Sequence, residues 1–264
     1  MKIDLHEKMA IITGSTEGIG LGAARQLAQC GEKVVVNGRT EQKVAQAVEA
    51  VKQAVPGAEV SGVAADLGTA EGCNTLIEAV PVADILVNNL GIYGTRDFFD
   101  TDDDLWQQYF DVNIMSAVRL SRHYAPAMVE NNWGRIVYVA SESALNIPAD
   151  MIHYGVSKTA LLGLSRGLAK RLAGTGVTVN SVLPGPTLSE GAQAFLAQSA
   201  EENGISIEEA GVKFVMENRP SSVIQRMATV EEVASMITYT CSKLASATTG
   251  SALRVDGGVV DFIM

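Results

Sequence analysis

Cysteine is scarce in this chain: Cys30, Cys73 and Cys241 are widely scattered and form no CxxC spacing. That argues against a disulfide framework and against a zinc site, and reads as three reduced structural thiols. Long hydrophobic runs are also missing. No stretch reaches the length of a membrane span, and the start, Met1 to Lys8, carries no apolar signal segment, which points to the cytoplasm. Positive charge is in deficit, with 20 Lys and Arg against 30 Asp and Glu, a net charge of -10. Such a surface repels nucleic acid and anionic membrane, so neither is expected as a partner. Proline is low at 7 against 25 glycines, which suggests many tight turns rather than a low-complexity chain.

What is present is core material. Hydrophobic residues make up 47% and charged residues 19% of 264 residues, enough for one large domain, and no repeat, linker or charge run divides it. Apolar runs alternate with helical patterns. Strands are expected at Met9 to Thr13, Lys33 to Asn37, Val60 to Ala64 and Asp84 to Asn88, with helices at Ile19 to Gln29, Glu41 to Ala54 and Ala70 to Ala79. This β-α-β-α order predicts a parallel sheet covered by helices on both faces. Further on, Asp102 to Glu130 reads as one long helix. Strands follow at Arg135 to Ala140, Val177 to Leu183 and Leu253 to Val255. Thr229-Val230-Glu231-Glu232 forms a capping box for the last helix.

Two local patterns carry chemistry. Between the first strand and helix stands Thr13-Gly14-Ser15-Thr16-Glu17-Gly18-Ile19-Gly20. Glycines there permit a tight turn and let backbone N–H groups and a helix N-terminus approach a pyrophosphate. The second pattern is Tyr154-Gly155-Val156-Ser157-Lys158, which places a phenol and an ammonium on one helix face. An ammonium favours phenolate, so such a tyrosine can give and take a proton nearer to neutral pH. Ser141 stands upstream at the carboxyl end of a strand, where open α/β sheets bind their ligands.

Taken together, TGxxxGIG, Asn88-Asn89-Leu90-Gly91, Asn113, Ser141, Tyr154, Lys158, Asn180 to Gly185 and Val255 to Gly258 resemble the single-domain branch of the short-chain dehydrogenases/reductases. The resemblance spans the whole chain. It implies a Rossmann-type, doubly wound parallel α/β sheet of about seven strands forming one domain over 1–264. It also implies an oxidoreductase that moves hydride between a nicotinamide dinucleotide and a carbonyl or secondary alcohol. In that scheme Ser141 orients the substrate oxygen, and Tyr154 is the general acid and base. Lys158 lowers the Tyr154 pKa and holds the ribose, and Asn113 distorts its helix and supports a proton relay. Cofactor contacts fall on Gly14, Ser15, Thr16, Gly18, Ile19, Gly20, Arg39, Asp66, Leu67, Asn89, Gly91, Tyr154, Lys158, Pro184, Gly185 and Thr187. Members are commonly dimers or tetramers joined through their fourth and fifth helices.

The end of the second strand bears on which dinucleotide is used. Gly38 occupies the usual acidic position and Arg39 follows, a guanidinium suited to a 2′-phosphate. Glu17 in the glycine turn pulls the other way unless it faces solvent or neutralises a neighbouring arginine. On balance NADP(H) is expected, with NAD(H) as the alternative. A region of weaker resemblance, about 188–226, holds two amphipathic segments, Ala192 to Glu201 and Ile207 to Glu217, and is read as a substrate lid. Acyl-carrier-protein reductases of the family commonly carry arginines where this chain has Asn132 and Thr175. A free small-molecule substrate is therefore preferred, with 3-oxoacyl-carrier-protein reduction and an NAD-dependent alcohol or sugar dehydrogenase as alternatives. A non-catalytic nucleotide-binding protein is the remote one.

Overall fold

The computed structural model describes residues 3–263; Met1 and Lys2, which open the N-terminal stretch read above, and Met264 lie outside them. Seven strands form one sheet: β1 (Met9–Ile12), β2 (Lys33–Gly38), β3 (Val60–Ala64), β4 (Ile85–Asn88), β5 (Gly134–Val139), β6 (Val177–Pro184) and β7 (Ala252–Val255). Their order is β3-β2-β1-β4-β5-β6-β7, and every neighbouring pair is parallel. Parallel pairing demands crossovers, which the chain supplies as α1 (Gly18–Gln29), α2 (Glu41–Ala54), α3 (Ala70–Ala79), α4 (Asp103–Phe110), α5 (Ser116–Glu130), α6 (Ile152–Arg171) and α9 (Val230–Cys241). Strand runs such as Val34-Val35-Val36 are buried on both faces, which explains their continuous rather than alternating apolar pattern.

Each face has its own core. One gathers Leu21, Leu27, Val51, Val233 and Ile237 from α1, α2 and α9. The other gathers Leu76, Leu120, Tyr124, Met128 and Leu161 from α3, α5 and α6. Strand order reverses between β1 and β4, and the crevice at their carboxyl ends is where such sheets receive a nucleotide.

The stretch expected as one helix from Asp102 to Glu130 is in fact two α-helices joined by a π-helical turn at Asp111–Met115. Asn113 sits in that turn. Its side chain accepts from Ile92 N at 2.8 Å and donates to Ile92 O at 3.1 Å. A π turn inserts one extra residue into the helical count and leaves periodicity almost unchanged. The two amphipathic segments read from sequence are α7 (Glu190–Asn203) and α8 (Ile207–Asn218), each slightly longer than expected. They pack on one another around Leu196, Ala200, Ala210, Val215 and Met227, a cluster separate from both sheet cores. The expected capping box at the start of α9 is present, with Thr229 and Glu232 bonding reciprocally to each other's backbone. All three cysteines are free thiols.

Candidate active site

The glycine turn is shaped by positions where a side chain has no room. Gly14 and Gly18 both take φ +58, and a Cβ on Gly20 would meet Asn89 Nδ2 at 2.5 Å. Asn89 fastens the turn to β4, donating from Nδ2 to the carbonyls of Thr13 and Gly14 at 2.9 Å each. Ser15 is a strut rather than an open ligand. Its hydroxyl donates to Ile12 O at 2.6 Å and accepts from Asn37 N at 3.0 Å, and it is fully buried. Leu90 lies against Gly14.

At the end of β2, Gly38 is buried and closely packed. A Cβ on Gly38 would sit 2.4 Å from Thr16 Cγ2, so no acidic side chain fits there without displacing Thr16. Arg39 is exposed and makes no ion pair among the described residues. Glu17 points to solvent and is partnered by Lys43 at 3.6 Å, a lysine where the sequence suggested an arginine. Asp66 is exposed at the end of β3, its Oδ1 accepting from Gly68 N at 3.1 Å. Leu67 turns its side chain into the core, leaving only its backbone to face a ligand.

The proton-handling residues meet at the carboxyl end of β5. Ser141 caps a short 3-10 turn at Glu142–Ala144, accepting from Ser143 N at 3.1 Å. Tyr154, on the first turn of α6, is partly exposed and stands against Ser141, whose hydroxyl favours the phenolate. Burial still dominates and pushes the phenol up to about 12, with the negative charge of Glu142 and the rings of Tyr93 and Tyr109 adding to the rise. Tyr93 meets Tyr154 edge to face with ring centroids 6.4 Å apart.

Lys158 behaves differently from expectation. It was read as lowering the tyrosine pKa, yet its Nζ is turned to Val139 O at 2.9 Å and lies 5.7 Å from the Tyr154 ring centroid. Burial pulls its own pKa down to about 8, so its positive charge is itself only partly held near pH 8. A Cβ on Gly91 would come within 3.0 Å of Lys158 Nζ and 3.4 Å of Asn113 Oδ1, which brings the three positions together. Asn113 Nδ2 also donates to Ser157 Oγ at 2.9 Å, and Ser157 Oγ donates to Tyr154 O at 2.7 Å. The π turn is thereby tied to the catalytic helix.

Pro184 ends β6, and a Cβ on Gly185 would strike Asp256 O at 2.8 Å. The hydroxyl of Thr187 is spent inside its own turn, donating to Gly185 O at 2.9 Å. The residues that reach the glycine turn come slightly later. Glu190 Oε2 accepts from Gly18 N at 2.8 Å, and Ser189 Cβ lies 3.4 Å from where a Gly18 Cβ would be. Sequence reading missed both. Their only local signal is Ser-x-x-Ala-type capping of α7, where Ser189 accepts from Ala192 N. His153 is buried, stacked edge to face on Tyr109 at 4.4 Å, and burial lowers its pKa; it belongs to the wall between α4 and α6.

A parallel sheet with a glycine turn at its reversal point, and a Ser, Tyr, Lys and Asn set at the neighbouring strand end, defines a class. Residues 8–200 match the short chain dehydrogenase family. The chain belongs to that family. It is 47% identical over 260 residues to YvaG, an uncharacterized oxidoreductase of Bacillus subtilis, covering 98% of each chain. It is 31% identical over 263 residues to a 3-oxoacyl-[acyl-carrier-protein] reductase of Aquifex aeolicus, covering 98% of this chain and 100% of that one. The L-sorbose reductase of Gluconobacter frateurii, solved with NADPH and L-sorbose, superimposes with a TM-score of 0.93 at 32% identity over 100% of both chains. The protein is accordingly an oxidoreductase of the dehydrogenase/reductase type that works on CH–OH or keto groups with a nicotinamide dinucleotide. Among the described residues no helix is long and apolar enough to cross a membrane.

Proposed function

We propose that the protein is an NADP(H)-dependent carbonyl reductase or alcohol dehydrogenase acting on a free small molecule, with Tyr154 as its general acid and base. The observation that carries this reading is the meeting of Tyr154 and Ser141 at the carboxyl end of β5, with Lys158 packed against Gly91 beside the glycine turn.

The residues present fit a dinucleotide. The Gly18 N–H, at the start of α1, donates to the Glu190 carboxylate, which supports a place for an anionic oxygen there, and the bare glycines at 14, 18 and 91 let Leu90, Ser189 and Lys158 close in around the turn. Gly14, Thr16, Gly18, Ile19 and Gly20 would hold the pyrophosphate. Asp66 and the backbone of Leu67 would face the adenine, and Asn89, Gly91, Pro184, Gly185 and Thr187 would floor the nicotinamide side. Exposed Arg39 beside Gly38 supports a 2′-phosphate, and the Lys43 partner relieves much of the objection raised by Glu17. When bound, the dinucleotide supplies or takes up the hydride.

This chain's own part is the proton. In reduction the Tyr154 hydroxyl gives its proton to the substrate oxygen while the Ser141 hydroxyl holds that oxygen in line; in oxidation the same groups act in reverse. With the phenol pushed up to about 12, Tyr154 rests protonated at neutral pH and is set as an acid. Lys158 would reach the ribose hydroxyls, and its ammonium would then contribute to the field that favours phenolate. Asn113 holds the loop at Ile92 and the helix at Ser157, keeping Lys158 in place for a proton relay.

Acyl-carrier chemistry is less well supported. Asn132 takes a left-handed φ of 48, accepts from Gly176 N at 2.9 Å and so joins two loops, while Thr175 donates to Leu172 O at 2.7 Å. Both positions serve the fold in place of the expected arginines. Polyhydroxylated ketones, the class of the sugar bound by the similar L-sorbose reductase, therefore come first. Phe98, Phe99 and Phe110 expose apolar rings beside α4 and support a homo-oligomer, a dimer or tetramer. The test is a panel of ketones, ketoses and alcohols run with both dinucleotides. Tyr154→Phe should lose nearly all turnover and keep NADPH binding; comparable turnover in the variant would remove Tyr154 from the mechanism.

A further inference from the structure

The lid packs on itself, so its position over the site depends on ties to the rest of the chain. There are two. At its beginning Glu190 reaches Gly18 N from an exposed position, a contact water can replace. At its end Arg219 donates from Nε to Glu142 Oε1 at 2.8 Å, with side-chain exposures of only 18% and 4%. This second tie spans 77 residues of sequence and is held firmly at both ends. Arg219 closes α8, its N–H reaching Val215 O at 2.7 Å and its Nη1 reaching Asn218 O at 2.8 Å. Just beyond it, Ser221 and Val223 dock on Val259 O and Gly257 O, the loop after β7. Glu142 is the residue next to Ser141 and the first of the turn that Ser141 caps.

We propose that the Glu142–Arg219 ion pair is a positioning latch, through which the seating of the lid fixes the placement and charge environment of Ser141 and Tyr154. It rests on the reading of Tyr154 as the acid–base group. Glu142 and Arg219 touch neither substrate oxygen nor hydride; they act through the turn.

The electrostatics run in the same direction. The groups facing Tyr154 are Ser141 and Glu142 from the turn, Tyr93 from the β4–α4 connection, Tyr109 from α4 and Lys158 from its own helix. Only Glu142 and Lys158 carry charge near neutral pH, and the negative charge of Glu142 raises the phenol. Among the described residues Arg219 is its sole ionic partner, and the other carboxylate oxygen, Oε2, is buried without a hydrogen-bond partner. A lid whose end lifted away would leave an uncompensated carboxylate beside the catalytic phenol, which disfavours phenolate further. A seated lid neutralises it.

Glu142→Gln, Arg219→Gln and the double variant test this in the full chain by two measurements. Amide exchange should speed up by about tenfold or more, within the usual range of site-to-site coupling, at residues 141–145 and at 190–218 together in Arg219→Gln. Faster exchange in the lid alone, with the 141–145 turn at the wild-type rate, overturns the latch. In alcohol oxidation the acid limb of kcat/KM should move to higher pH in Arg219→Gln and to lower pH in Glu142→Gln. The double variant, in which both charges are gone, should fall between the two single variants. An identical acid limb in all three reduces the pair to a structural tie and refutes the positioning role. Glu142→Gln is nearly isosteric and serves alone should Arg219→Gln fail to fold: wild-type exchange and wild-type limb in it also refute the proposal. If the wild-type protein oxidises none of the alcohols, the proposed function fails, and the exchange measurement still decides the latch.

Discussion

Replacing Lys158 by methionine should make the protein more stable while removing its activity. Lys158 is 4% exposed, and among the described residues its ammonium has one hydrogen-bond acceptor, Val139 O. Burial lowers its pKa from 10.5 to about 8. At about 1.4 kcal/mol per pH unit, holding this lysine charged in the fold costs about 3 kcal/mol at pH 7. Methionine fills a similar volume and needs no proton, but it leaves Val139 O unpaired, a loss of about 1 kcal/mol. The net gain of about 2 kcal/mol corresponds to a rise in Tm of roughly 4–8 °C for a domain of this size. The pH dependence has a definite sign. Between about 8 and 10.5 the unfolded chain keeps the lysine proton that the folded chain has released. Raising pH through that window therefore stabilises the wild-type protein and leaves the variant's share unchanged. The Tyr154 shift is common to both proteins and cancels in the difference. The assay is thermal unfolding of both proteins, without dinucleotide, at pH 7 and at pH 10. A variant that melts at or below the wild type at pH 7 would refute the reasoning, as would a gap of the same size at both pH values.

Arg39→Ala should weaken NADPH binding by about tenfold or more, the loss expected for a charged hydrogen bond, and change NADH binding little. Fluorescence titration with each dinucleotide measures this, and equal losses would remove the 2′-phosphate assignment. Glu190→Gln takes a carboxylate off the N-terminus of α1, where a pyrophosphate would otherwise have to displace it. NADPH affinity should rise by about two- to fivefold, the range of a charge at a helix terminus; unchanged or weaker binding shows that the two anions do not compete.

Most strand and helix spans were legible because parallel β-α-β architecture writes them as buried apolar runs separated by 3.6-period segments, as Val34 to Val36 and Glu41 to Ala54 show. Direction and distance were less so. The resemblance also drew in Ser15, from the glycine turn, and Leu67, after the third strand, whose side chains turn inward to Ile12 O and the core. Motif position cannot distinguish a backbone that faces a ligand from a side chain that does. Thr187 was named while Ser189 and Glu190 were not considered, because only the fold of the turn decides which residue meets Gly18. The π turn at Asn113 escaped periodicity, and the partnership of Glu142 with Arg219 lies too far apart in sequence for any local pattern. The i,i+4 placement of Tyr154 and Lys158 was right about a shared face. It said nothing of Val139 O, which claims the ammonium.

Leu196, Ala200, Ala210, Val215 and Met227 consolidate the lid without help from the sheet. On the proposed reading of 188–226 as a substrate lid, its other residues are free to change without disturbing the sheet cores, as long as those five and Arg219 persist. The same separation marks Ser189 and Arg219 as natural splice points for lid exchange between relatives. A chimera joined there would inherit hydride and proton chemistry from this chain and substrate choice from the donor.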